Sequence, residues 1–415
     1  MKKYLRPTHI VLAVLALMYF ITYLDRVNVS TAADGFGKDF QLSKTQIGLV
    51  FSMFAYPYLV FQIIGGWISD RFGARRTLIA CALLWAAATA LTGLAGGLYS
   101  LIAARVLLGF GEGATFPAAT SAMSRWIAKE RRGFAQGITH AASRIGNAVA
   151  PPVIAVIMAA FGWRASFFVC ALISFAWVIL WALTFTEYPK DHPRISREEL
   201  AELPPPATQT AIPVPWRRLI GRMAPVTVVY FCYGWTLWLY LSWIPQYFMH
   251  SQHLDLKHSA LFSFSVFFAG VVGDTLGGVI TDRLLKSTLR LEVARSYMVC
   301  LCMFLTLVAL VPLLFTHSLA ISVTCLSAGF FFAELTIGPM WAIPMDISKD
   351  HAGTASGIMN TGSAMAAILS PVVAGYLIDI SGNWQLPFVG SMILMGAGVV
   401  LSLFMRPERK FEATA

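Results

Sequence analysis

Gly66-Trp67-Ile68-Ser69-Asp70-Arg71-Phe72-Gly73-Ala74-Arg75-Arg76 closes one apolar run of the chain, and Gly278-Val279-Ile280-Thr281-Asp282-Arg283 closes another, with Lys286 soon after. A second group of matches keeps a constant offset of 220 residues: Gly133 with Gly353, Gly137-Ile138 with Gly357-Ile358, Ser143 with Ser363, Pro151 with Pro371. Repetition on this scale means two related halves rather than one continuous fold. The physical sense of the motif is local. Gly66 lets helices approach closely, and Asp70 at a helix end can pair with arginines or face a helix N-terminus. Gly66, Asp70, Arg71, Gly73 and Arg75, with Asp282 and Arg283 in the repeat, are therefore expected to form a conformational latch.

Composition fixes the setting of those halves. Of 415 residues 57% are hydrophobic and only 13% charged, where a soluble protein carries about 25% charged residues. Apolar stretches long enough to cross a bilayer recur from end to end, leaving room for twelve spans and no sizeable soluble domain. Spans are predicted near residues 9–33, 45–69, 77–97, 98–124, 133–160 and 165–186, then 224–249, 258–283, 295–315, 318–345, 351–378 and 385–405. The polar stretch 187–223, with Pro204-Pro205-Pro206, Pro213 and Pro215, reads as a cytoplasmic linker between a half at 1–186 and a half at 224–415. The expected fold is an all-α membrane protein of two pseudo-symmetric six-helix halves.

The net charge of +10 does not indicate nucleic acid. Most lysines and arginines fall in the termini and alternate loops, the positive-inside bias that places both termini in the cytoplasm. The six cysteines lie in or beside apolar spans without zinc-ligand spacing, so neither a metal nor a cofactor is expected. Asp25-Arg26 lies within the first apolar run, which is better read as an uncleaved span than as a signal peptide.

Charges inside spans carry the functional argument, because each costs about 2.5–3.5 kcal/mol to insert. Arg105 and Glu112 are seven residues apart, two helical turns, and share one face. Asp25 and Arg26 are adjacent and diverge by ~100°. Arg26 shares a stripe with Thr22 and Tyr23 and suits an acid group, while Asp25 is expected to turn toward the fourth span. In span five His140, Ser143, Arg144 and Asn147 form one polar stripe. Arg144 either meets a second acid group of the cargo or pairs with an acid such as Glu334. Span eleven offers Ser356, Asn360 and Ser363, and span ten Glu334, Trp341 and Asp346.

The motif GxxxDRxGxRR at Gly66–Arg76 resembles that of the major facilitator superfamily, and the likeness covers the whole chain. Asp25-Arg26, with Ala104-Arg105-Val106-Leu107-Leu108-Gly109-Phe110-Gly111-Glu112, resembles the anion:cation symporters within it. That resemblance implies Arg26 on the substrate carboxylate, Asp25 and Glu112 as proton carriers and Arg105 coupling them. It also implies Tyr23, Trp341 and Asn360 around the substrate, and Ser143 where sugar-acid carriers hold a glutamine. The expectation is a monomeric bacterial inner-membrane symporter of protons and a small organic anion, a sugar acid first. Tartrate-like or aromatic acids are alternatives. Drug antiport is disfavoured because the span-five stretch Arg144-Ile145-Gly146-Asn147-Ala148-Val149-Ala150-Pro151-Pro152 lacks the paired glycines of such exporters. No HExxH or GxSxG motif suggests an enzyme.

Overall fold

A computed structural model describes residues 6–127, 132–203, 215–315, 318–348 and 352–411, all helix and connection, with no strand among them. The helices are, in order, α1 (Pro7–Thr31), α2 (Ala33–Asp39), α3 (Lys44–Met53), α4 (Ala55–Phe72), α5 (Ala74–Gly93), α6 (Leu98–Gly113), α7 (Thr115–Trp126), α8 (Arg132–Phe161) and α9 (Trp163–Thr184). There follow α10 (Arg197–Ala201), α11 (Trp216–His250), α12 (Leu256–Thr288), α13 (Met298–Leu310), α14 (Leu319–Leu335), α15 (Ile337–Ile347), α16 (Ala352–Ser381) and α17 (Leu386–Ser402). Contacts divide the chain into two units. One holds Met1–Leu42 and Met53–Thr210; the other holds Ser43–Ser52 and Ala211–Ala415.

Nine helical stretches among the described residues are long and apolar enough to cross a membrane, and α17 is a shorter apolar helix. Two further spans are each broken in two, α3 with α4 and α6 with α7. Proline explains these breaks. It has no N–H for the carbonyl four residues back, so Pro57 leaves Met53 and Pro117 leaves Gly113 without a helical donor. The helices part at Phe54 and Ala114, immediately after those carbonyls. Pro339 does the same to Leu335, and α14 gives way to α15 at Thr336. Threonines bond the turns just before two of the breaks: Thr115 Oγ1 donates to the Glu112 carbonyl at 2.6 Å and Thr336 Oγ1 to that of Ala333 at 2.5 Å.

Glycine sets how closely the helices pack around the buried charges. A Cβ on Gly109 would run into the Phe54 carbonyl, and one on Gly111 would lie 2.7 Å from the Trp85 amide nitrogen. The span-four glycines thus seat α6 against α4 on one side and α5 on the other. The predicted linker is partly structured. Within it Ser196 caps α10, and the buried Glu199 accepts from Thr8 N at 3.0 Å and Thr8 Oγ1 at 2.6 Å, capping the start of α1. α11 also begins earlier than expected, at Trp216.

Candidate functional site

In the first unit α1, α6 and α8 bring together Asp25, Arg26, Arg105, Glu112 and Arg144, each no more than 5% exposed. Arg26 Nε donates to Glu112 Oε2 at 2.9 Å, and Nη2 lies 2.8 Å from the same oxygen. Both nitrogens therefore converge on one carboxylate oxygen. The other, Oε1, is buried with no hydrogen-bond partner among the described residues. The Arg26 guanidinium is boxed by aromatic rings, Tyr23 at 4.6 Å, Phe54 and Tyr58 at 5.0 Å and Phe116 at 5.5 Å. Such faces favour a cation without competing for its hydrogen bonds.

Arg105 differs. Its guanidinium lies 5.3 Å from the Phe54 ring, it forms no ion pair among the described residues, and its Nε has no partner there. The expectation of Arg105 beside Glu112 on one face is met, but the carboxylate engages the arginine of α1. Asp25 also departs from expectation. Its Oδ2 accepts from Thr89 of α5 at 3.4 Å and Ser174 of α9 at 3.5 Å, rather than from α6, and Oδ1 is buried without a partner. The turn of ~100° per residue explains this: with Arg26 aimed at α6, its neighbour faces spans three and six. Arg105 and Glu112 reach Asp25 through space alone.

The polar stripe of α8 is present. Arg144 Cζ stands 6.0 Å from the Tyr23 ring. Ser143 Oγ donates to the His140 carbonyl at 2.6 Å, and the His140 ring meets Tyr19 edge-on at 5.9 Å. Asn147 is 1% exposed, and neither of its amide atoms has a partner among the described residues.

The span-ten and span-eleven candidates belong to the second unit. Trp341 Nε1 donates to Tyr230 Oη at 3.0 Å, Tyr230 stacks on Tyr233, and Tyr233 Oη donates to Glu334 Oε1 at 2.9 Å. Ser363 Oγ accepts from Trp238 Nε1 at 3.2 Å, and Asn360 is half-buried.

Around the motif, Gly66 and Asp70 lie in α4, and the surroundings of both fall outside what is described. Gly73, at φ +89°, turns the chain into α5 where a Cβ would strike the Glu187 carboxyl group. Glu187, which sequence reasoning missed, accepts from Ala74 N at 3.1 Å and Arg75 N at 2.9 Å and pairs with Arg125. Arg75 itself donates to the Ala182 carbonyl at 2.6 Å, while Arg71 is exposed over Phe72. In the repeat Asp282 and Arg283 are exposed and form no ion pair among the described residues. Near them the ion pair is Arg295–Asp346 at 2.8 Å, with Arg295 also donating to Thr281 at 2.6 Å. A turn of π-helix at Val293–Tyr297 carries Arg295; of its two partners, Asp346 had stood out in the sequence.

Two helical units with charge buried inside apolar spans, one of those spans discontinuous, define a membrane transporter of the secondary class. The profile of the Major Facilitator Superfamily matches residues 15–371, and the chain belongs to that family. It is 47% identical over 413 residues to a probable sulfoacetate transporter of Cupriavidus necator, covering 98% of this chain and 96% of that one. A hexuronate transporter of Bacillus subtilis is 29% identical over 96% of this chain and 94% of its own length. A probable galactarate/D-glucarate transporter of Escherichia coli is 29% identical over 95% and 94%. Among solved structures, a bacterial homologue of the human lysosomal transporter Spinster, inward-facing and unoccupied, superposes with TM-score 0.80 at 16% identity over the whole of both chains. That likeness shows the fold. The protein is thus a multi-pass membrane transporter, not an enzyme.

Proposed function

We propose that the chain imports a small organic anion together with protons across a bacterial inner membrane, as a monomer working by alternating access with both termini cytoplasmic. One observation carries the reading: Arg26 holds Glu112 through Oε2 alone, leaving Oε1 buried and unbonded among the described residues. A proton on Oε1 removes the charge that retains Arg26, and the guanidinium is then available to an anion. Proton and anion each favour the binding of the other, which is the linkage a symporter needs. Asp25, with its own unbonded Oδ1, is the second proton carrier, and Arg105 balances whichever carboxylate stays ionised. Orientation follows from the basic residues of the termini and alternate loops.

Relatives narrow the cargo. The 47% identity to a protein named for sulfoacetate puts that acid first; the sugar acids expected from sequence, carried by the names of relatives at 29% identity, come second. All are carboxylates, and an arginine anchor suits each.

A thermal-shift screen of purified protein against organic acids at about pH 5.5 and 7.5, with Arg26→Ala alongside, tests the reading. Sulfoacetate or a sugar acid should stabilise the wild type more at low pH and leave the variant unmoved. Stabilisation by lipophilic cations alone, indifferent to Arg26, would discard it.

A further inference from the structure

Tyr23 lies within reach of two guanidinium groups. Arg26 Cζ is 4.6 Å from its ring centroid and Arg144 Cζ 6.0 Å, so the cations of α1 and α8 are no farther apart than these two distances laid end to end. Phe54 links the third in the same way, with Arg26 at 5.0 Å and Arg105 at 5.3 Å. Ionised Glu112 and Asp25 balance Arg26 and Arg105, and each proton they take up adds one positive charge to this group. Asn147 sits three residues beyond Arg144 on the same face of α8, its amide wholly buried and unbonded among the described residues. An amide left in that condition costs free energy until something bonds it.

We propose that Arg26 and Arg144 clamp the two ends of a short dianion, a carboxylate at one and a sulfonate or second carboxylate at the other. Asn147 bonds the second head, and Arg144 sets the preference for dianions over monoanions. The inference rests on the organic-anion reading above and adds the length and charge of the cargo. Length follows from simple geometry. A guanidinium bonded to an acid through N–H···O contacts stands about 4 Å, carbon to central atom, from that group. The two heads of a two-carbon acid are about 3 Å apart. A straight bridge then needs about 11 Å, slightly more than the two distances to Tyr23 add up to, so a short acid is gripped off the straight line with the Tyr23 ring beside it. The heads of an extended six-carbon aldarate are about 6 Å apart, too long for the same clamp. A monoanion engages Arg26 directly and feels Arg144 only through space.

Calorimetric titration of the purified full chain with sulfoacetate, malonate, glycolate and galactarate tests this, in wild type, Arg144→Gln and Arg144→Lys. In the wild type the two short dianions should bind well above glycolate and galactarate. Arg144→Gln should weaken sulfoacetate and malonate by roughly 10- to 100-fold and glycolate by clearly less, and retained glycolate binding also shows that the variant is folded. Arg144→Lys, retaining charge without the fork, should fall between. Equal losses for glycolate and sulfoacetate in both variants would overturn the assignment, and galactarate binding as tightly as sulfoacetate would overturn the length argument. Failure of the wild type to bind any of the four acids would remove the organic-anion reading itself, before any variant is considered.

Discussion

Glu112→Gln separates charge from shape. Glutamine keeps the side-chain length and a carbonyl oxygen for the Arg26 Nε hydrogen, which now reaches Oε2 at 2.9 Å. It removes the negative charge 2.8 Å from Nη2 and cannot take up a proton. A hydrogen bond to a charged group contributes about 1.5–3 kcal/mol and a neutral one about 1. Arg26 is therefore held less tightly by roughly 1–2 kcal/mol, and an anion that must displace this contact at neutral pH gains roughly 5- to 30-fold in affinity. Linkage sets the second magnitude: each proton taken up with the anion changes Kd by at most about tenfold per pH unit. With both Asp25 and Glu112 contributing, the ceiling is about 100-fold per unit, and the variant retains at most about tenfold. Titration calorimetry with sulfoacetate at several pH values reads both effects. In proteoliposomes the variant should still exchange anion in counterflow but should accumulate it far less, driven only by the proton Asp25 carries. A pH dependence unchanged from wild type, with undiminished gradient-driven accumulation, would refute Glu112 as a proton carrier.

Other perturbations probe the surroundings of that pair. Arg26→Lys keeps the charge but loses the fork and the stacking on four rings, so anion affinity should drop roughly 10- to 100-fold while size-exclusion elution stays that of the wild type. Gly109→Ala drives a methyl into the Phe54 carbonyl and should cost about 1–3 kcal/mol. Gly137→Ala, in an exposed helical turn with nothing within 4 Å, should be neutral or gain up to about 1 kcal/mol in thermal unfolding. Asp39, outside the spans, is held below the ordinary carboxylate range by the Trp163 indole and then by Arg164. Its contribution is present above the unfolded value of about 4 and is lost only as pH falls through its lower folded value. Asp39→Asn should accordingly leave the pH dependence of uptake between about pH 5.5 and 7.5 unaltered.

Much of this arrangement was legible in the amino-acid order, and the exceptions have physical causes. Arg105 and Glu112 stand out because charge in an apolar run is expensive, and their two-turn spacing correctly predicts a shared buried face. Which arginine would hold Glu112 was not legible, because Arg26 lies 86 residues away and local periodicity carries no information on contacts between helices. The direction of Asp25 failed for a related reason. The offset of adjacent residues on a helix was recognised, but the face α1 presents to α5 and α9 is set by packing. The breaks beside Phe54 and Ala114 were missed in spans drawn whole at 45–69 and 98–124, although Pro57 and Pro117 stand three residues downstream of each. The motif pointed to Asp282 and Arg283, yet the second unit pairs Arg295 with Asp346, since a π-turn swings Arg295 toward α15. Glu187 had no pattern of its own; its importance comes from the amides of Ala74 and Arg75 that the turn at Gly73 aims at it.

The most direct measurement is uptake of labelled sulfoacetate into proteoliposomes under an imposed proton gradient, acidic outside, with and without a protonophore. Coupled import through the Arg26–Glu112 pair predicts transient accumulation above the external concentration, collapse with the protonophore, and a much smaller peak with Glu112→Gln. Equal uptake with and without the gradient, or accumulation undiminished by Glu112→Gln, would contradict it.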